Sequence, residues 1–354
     1  MAGFGAAKAA KESGEEVVPF TPLKQKKNKT SNNPKEGQSN FVEKAYDASN
    51  DPFADLRNEL QSLHKKSPKS TLFGLIAGHE NTGKTAIVLD AYDKVKTGFV
   101  DPQHAKEVVG DLWILDFDGG GAASAAAFYK NSTSIRCWDP WVMQKGDRTA
   151  YDYPATHDRV MKIMQFAVDI ARKQQEENYD GDRLWGVIVT GIDLWDSICI
   201  NNMRIIDLNL ASDGIEAADW NVKVGHQWDW AIRKTRFHQL TALSRGLVSA
   251  GVNVFWETHL RMTNYSFGKN EEAAKWRPDC EKATNNYVYQ ILICERTDTF
   301  DDERKSVIRS EFNVTFEKSK TNADLQGQKR TILVTEAGKP ARWIGLPELS
   351  DGSL

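Results

Sequence analysis

Apolar and polar positions along the chain change period several times, and those changes mark its elements. Between residues 51 and 66, Phe53, Leu56, Leu60 and Leu63 recur at three- and four-residue intervals. This is the spacing of an amphipathic helix, with Pro52 accommodated in the first turn. A short apolar run over 72–77 then reads as a buried strand, and similar runs follow at 112–116, 185–190 and 252–256. Helical stretches over 84–95, 157–176 and 228–249 separate them. Strands alternating with long helices predict an α/β fold with a mostly parallel sheet flanked by crossover helices. The last third differs. Segments 287–295, 307–317, 329–336 and 342–344 are closely spaced strand candidates joined by polar turns, which predicts antiparallel strands extending one edge of the sheet. There is no internal repeat.

Residues 1–40 are rich in Ala, Gly, Lys, Glu, Ser and Asn, too poor in large apolar groups to offset chain entropy, and read as a disordered tail. Within it Lys24, Lys26, Lys27, Lys29 and Lys35 form a basic run, either a phosphate contact or a solvated tail. The expected organisation is a tail over 1–40, a helical extension over 41–70, one α/β domain over 71–346 and a short tail over 347–354. The net charge of -3 carries no global basic field, so a nucleic-acid site has to be a local patch. Four scattered cysteines without a C-x-x-C pair read as reduced thiols. No segment has the roughly 20 apolar residues of a membrane span, and residues 1–16 lack a signal-peptide core. The chain therefore reads as cytoplasmic, without a membrane partner.

The chemistry starts where the first strand ends. Gly78-His79-Glu80-Asn81-Thr82-Gly83-Lys84-Thr85 fits G-x-x-x-x-G-K-[ST], with a predicted strand before it and a predicted helix, opening through Ala86, after it. The glycines let the backbone wrap so that successive N–H groups face phosphate oxygens. The helix adds the positive end of its dipole. Lys84 is placed to reach the β- and γ-phosphates, and the Thr85 hydroxyl to ligate Mg²⁺. ATP and Mg²⁺ are the implied ligands.

Three further strand ends supply candidate acids and a sensor. The second strand ends in Asp116-Phe117-Asp118 before Gly119, Gly120 and Gly121. Alternation puts both acids on one side if the strand continues, and Asp118, nearer the open end, is the candidate for positioning water; otherwise the acids cap a loop. On the third strand, Val187-Ile188-Val189 leads to Thr190, where a Mg²⁺-organising Asp is usual, and the next acid is Asp193. Either Asp193 acts through water, or Asp116 supplies the charge, or hydrolysis is weak. The fourth strand ends in Glu257-Thr258-His259, and His259 is either a γ-phosphate sensor or structural.

In this order, the P-loop, Asp116-Phe117-Asp118, Val187 to Trp195, and Phe255-Trp256-Glu257-Thr258-His259 resemble the phage-type RecA-like ATP-binding proteins, relatives of phage single-strand annealing ATPases. The resemblance covers residues 72–334. It implies a RecA-like P-loop NTPase core, Asp118 activating water and His259 sensing the γ-phosphate. The family's third strand typically reads V-I-D-T-I-D, so Thr190 replaces the first Asp and Asp193 matches the second. Lys318-Ser319-Lys320 resembles the cationic finger that reaches the γ-phosphate of a neighbouring subunit, which implies a homo-oligomer, ring or filament. After His259, Arg261, Tyr265, Phe267, Lys269, Lys275, Trp276 and Arg277 interleave basic and aromatic residues. Such a loop stacks bases and neutralises phosphates, or else is an ordinary surface loop. The expected function is an ATPase acting on single-stranded DNA in recombination or annealing; the alternatives are a ring helicase or packaging motor, and a hydrolysis-poor nucleotide-binding assembly module.

Overall fold

In the computed structural model the described residues are 71–97, 109–130, 132–176, 178–206, 229–262, 276–301, 303 and 305–351. The tail and helical extension expected over 1–70, together with Tyr265, Phe267, Lys269 and Lys275, lie outside them.

The core is a nine-stranded sheet. Its first strand, β1 (Phe73–Gly78), is buried at every position. It lies between β7 (Asn253–Thr258) and β10 (Gln290–Phe300), parallel to both. β6 (Leu184–Val189), β2 (Asp111–Leu115) and β3 (Ile135–Trp138) continue the parallel set beyond β7. On the other side β11 (Val307–Ser319), β12 (Lys329–Glu336) and β13 (Arg342–Trp343) add antiparallel strands, giving the order β13-β12-β11-β10-β1-β7-β6-β2-β3. Parallel strands covered on both faces read as continuous apolar runs, which is why four of them stand out in the sequence. Two small hairpins, β4 (Met143–Gln144) with β5 (Asp147–Tyr151) and β8 (Leu260–Met262) with β9 (Trp276–Pro278), stand apart from this sheet.

Side chains alternate across the sheet with period two and feed two cores. Phe73, Leu75, Trp113, Leu115, Val187, Val189, Val254 and Trp256 pack with residues of α3 (Tyr153–Lys173), α4 (Ile192–Ile206) and α5 (Asp229–Ser249). Leu112, Ile114, Ile188, Phe255, Ile76 and Leu292 pack on the opposite face with α1 (Lys84–Lys96) and, through Ala125, with α2 (Gly120–Phe128). A one-turn helix, α6 (Thr284–Tyr287), precedes β10. Trp195 is fully buried between sheet and helices, a packing tryptophan, whereas Trp230 is exposed; Trp220 and Trp228 lie outside the described residues.

Several elements depart from the sequence reading, β10 by pairing parallel with β1 and α4 by forming where the sequence marks no helix. β3 is a sixth parallel strand, only four residues long and half-exposed, so no apolar run announces it. The Gly/Ala-rich segment after Asp118 forms α2. Residues 347–351, grouped with a tail, form α7 (Pro347–Asp351). Leu349 at 2% exposure and Leu346 at 1% join the core beside α1. All four cysteines are free thiols, three of them buried. No described helix is long and apolar enough to cross a membrane.

Because Leu349 is packed rather than trailing, Leu349→Ala should cost about 2 kcal/mol or more of unfolding free energy, as for other buried leucines. Urea titration checks it; an unchanged midpoint means α7 adds nothing to the core.

Candidate functional site

The carboxyl ends of β1, β7, β6 and β2 meet at one end of the sheet, and the glycine-bounded loop of residues 78–85, the expected P-loop, occupies it. Gly78 is required by space. A Cβ there would stand 2.5 Å from Thr82 Oγ1 and 2.7 Å from the Cys294 carbonyl oxygen. Gly83 is required by conformation, with φ of 85° at the N-cap of α1. No side chain caps this helix and its first turn holds no acid, so its N–H groups face the loop without a built-in anion. The Thr82 hydroxyl donates to the His79 carbonyl at 2.8 Å, closing the loop on itself. The Lys84 ammonium lies back across the loop, donating to the carbonyls of Gly78 at 3.1 Å and His79 at 3.0 Å. Glu80 and Asn81 are exposed, Asn81 with φ of 57°. Thr85 and Ala86 are buried in the first turn of α1.

The period-two alternation of β7 decides which acid meets this loop. Phe255 and Glu257 face α1, and Glu257 lies level with Ile76 of β1. The Thr85 hydroxyl donates to Glu257 Oε2 at 2.7 Å, and Glu257 Oε1 is buried without a partner. Burial pushes the Glu257 carboxyl up to about 8; the Thr85 bond and the Lys84 charge oppose this, while Asp118 and Asp116 reinforce it. Sequence reading overlooked Glu257 because it treated the strand end as a place for the histidine. The available signal was an acid inside an otherwise buried run, two residues after Phe255 on the α1 face.

The acids expected to organise Mg²⁺ are spent elsewhere. Asp116 Oδ1 accepts the N–H of Gly121 at 3.1 Å and the Thr190 hydroxyl at 2.9 Å, and its Oδ2 accepts the N–H of Ala122 at 2.7 Å. It therefore caps α2, whose first N–H groups need acceptors. Thr190 in turn accepts the Phe117 N–H at 3.1 Å, tying the end of β6 to that of β2. The strand does not continue to Asp118, so the two acids do not project as an alternating pair; Asp118 is exposed in the loop and accepts the Gly120 N–H at 2.9 Å. Asp193 opens α4. Its Oδ2 is 3.3 Å from His259 Nδ1 and its Oδ1 is 3.4 Å from the Thr258 hydroxyl. The hydrogen bond to Asp193 raises the His259 imidazole above its ordinary value, against partial burial.

The segment after His259 rises as the β8–β9 hairpin, with Arg261 opposite Arg277 and Met262 opposite Trp276. Its base is held to β7: the Thr258 hydroxyl donates to the Asp279 carbonyl at 2.6 Å, and the Asp279 N–H donates to the His259 carbonyl at 2.8 Å. Arg261 pairs with the Asp279 carboxylate at 2.9 Å. Trp276, half exposed, sets its ring edge-on to P-loop His79 at 4.6 Å. Beneath the hairpin, buried Arg233 of α5 binds Glu281 at 2.7 Å and also Asp196 of α4.

Lys318 and Lys320 are not part of this cluster. Ser319 pairs with Gln290, which is level with Gly74 rather than Gly78, so both lysines sit at the other end of the sheet, roughly 13 Å along β1 from the P-loop. Lys318 donates to the carbonyls of Asn285 and Val288, and Lys320 to that of Asn286 at 2.9 Å. Within the chain they lie away from residues 78–85. Compared with protein-family models and with curated proteins, the sequence matches none.

The raised Glu257 carboxyl makes stability depend on pH with a definite sign. The folded chain keeps a proton that the unfolded chain releases above 4.5, so this stabilising contribution is whole below 4.5 and is lost as pH rises to about 8. Chemical denaturation at pH 6 and pH 8 should show Glu257→Gln gaining about 2 kcal/mol on the wild type over that interval. A constant difference between the two proteins contradicts a neutral carboxyl at Glu257.

Proposed function

We propose that this chain is a Mg²⁺-dependent ATPase of RecA-like type that acts on single-stranded DNA as an oligomer. The observation that carries the reading is the P-loop: a buried strand, a loop closed at glycines, and an uncapped helix N-terminus with Lys84 and Thr85 at its start. This arrangement suits a triphosphate, since first-turn N–H groups and a lysine together neutralise adjacent phosphates. The residues also suit a divalent cation, because a buried carboxylate oxygen beside the Thr85 hydroxyl lacks a partner. Bound Mg²⁺ offsets charge on the β- and γ-phosphates.

Each residue then has a task its position supports. Lys84 exchanges two loop carbonyls for phosphate oxygens. Asp118, exposed just past the end of β2, orients and deprotonates the attacking water. His259, just past the end of β7 and bonded to Asp193, senses the far end of the triphosphate. The hairpin rooted on His259 and Asp279, with Arg261, Trp276 and Arg277, is the proposed DNA contact. Contact between Trp276 and His79 links it mechanically to the P-loop. Lys318 and Lys320, lying away from their own P-loop, serve the neighbouring subunit's nucleotide.

One observation favours a second reading, a nucleotide-binding assembly module with little turnover. Asp116 and Thr190, at the ends of the paired strands β2 and β6, are occupied in capping α2 and joining strands. Steady-state hydrolysis with and without single-stranded DNA separates the two. DNA-stimulated turnover, abolished in Lys84→Ala and reduced at least tenfold in Lys320→Ala with ATP binding retained, is the expected outcome. Tight ATP binding with no turnover in either condition supports the module. Full turnover in Lys320→Ala removes the finger.

A further inference from the structure

A hydroxyl that ligates a cation commits a lone pair to the metal and needs an acceptor for its proton. The acceptor also places charge beside the cation, so its identity is part of the metal site. At the end of β6, where such an acid is usual, this chain has Thr190. We propose that Glu257, on β7, is the carboxylate that organises the divalent cation of the bound nucleotide. The inference rests on the nucleotide-binding reading and deepens it.

Three observations lead to Glu257 and away from the other acids. The Thr85 hydroxyl already donates to Glu257 Oε2 at 2.7 Å. Glu257 is 1% exposed and its Oε1 has no hydrogen-bond partner, although a buried carboxyl oxygen ordinarily finds one. A water in a cation's shell supplies that partner. The competing acids have other work: both oxygens of Asp116 accept backbone N–H groups of α2, and Asp193 faces His259 and Thr258. Register explains the exchange. β7 lies directly beside β1 and turns every second residue toward α1, so an acid at 257 reaches Thr85. Among the described residues no three His, Cys, Asp or Glu side chains form a metal cage. None is needed, because Mg²⁺ on a nucleotide takes one or two carboxylates besides the phosphates and waters. Thr190 then ceases to be a defect, since the charge has moved one strand over.

The test is fluorescence titration of the full chain with mant-ATP, in EDTA and across a Mg²⁺ series, for wild type, Glu257→Gln and Glu257→Asp. Glu257→Gln should match the wild type in EDTA, which also reports an intact fold, and lose about 10- to 100-fold of the Mg²⁺-dependent tightening. Glu257→Asp, which keeps a carboxylate on a shorter stem, should recover part of it. Full tightening in Glu257→Gln overturns the assignment while nucleotide binding stands. If Glu257→Gln does not fold, the Asp variant decides, and wild-type tightening in a variant whose carboxylate is withdrawn by a methylene overturns the assignment too. Wild-type protein that binds no mant-ATP in any condition overturns both the assignment and the nucleotide reading.

Discussion

Parallel pairing of β1 with β7 is the constraint on which the rest of the site depends. It sets two buried strand ends side by side, one delivering the P-loop and the other Glu257, Thr258 and His259 in succession. Alternation along β7 turns Glu257 to Thr85 at the start of α1 and Thr258 the other way, and His259, past the strand's end, joins Thr258 beside Asp193 and the hairpin base. A register slip of one residue would send Glu257 into the aromatic core around Trp256 and Trp195 and leave Thr85 without its acceptor.

Two helix N-termini at the same sheet edge are treated in opposite ways. That of α2 carries its own anion, Asp116, fixed by the Thr190 hydroxyl; that of α1 carries none. A helix end supplied with a carboxylate has little use for a phosphate, whereas an uncapped end preceded by glycines and followed by Lys84 is suited to one. Near α1, Asp118 and Asp116 add to burial in holding the proton on Glu257, and Lys84 opposes them.

Much of this was legible in the residues themselves. A strand buried on both faces has to be apolar throughout, so β1, β2, β6 and β7 appear as runs, and the spacing of residues 78–85 locates the start of α1. The parts that escaped are those in which tertiary context overrides local pattern. β3 is short and half-exposed, and α2 is a Gly/Ala segment whose helix depends on a cap from Asp116. Leu346 and Leu349 look like stray apolar residues near a terminus until α1 covers them. Asp116 and Asp193 were credible cation partners by order along the chain, but order does not reveal which carboxylate α2 or His259 will claim. Glu257 was visible only as an acid in a buried strand, and its partner lies 172 residues away in sequence.

Calorimetric titration of ATP with Mg²⁺ into the wild-type chain and into Lys84→Ala tests the central claim most directly. Saturable binding at one site per chain, weakened at least tenfold by the substitution, is the expected result. Absence of binding in the wild type, or equal affinity in the two proteins, contradicts a phosphate site at the P-loop.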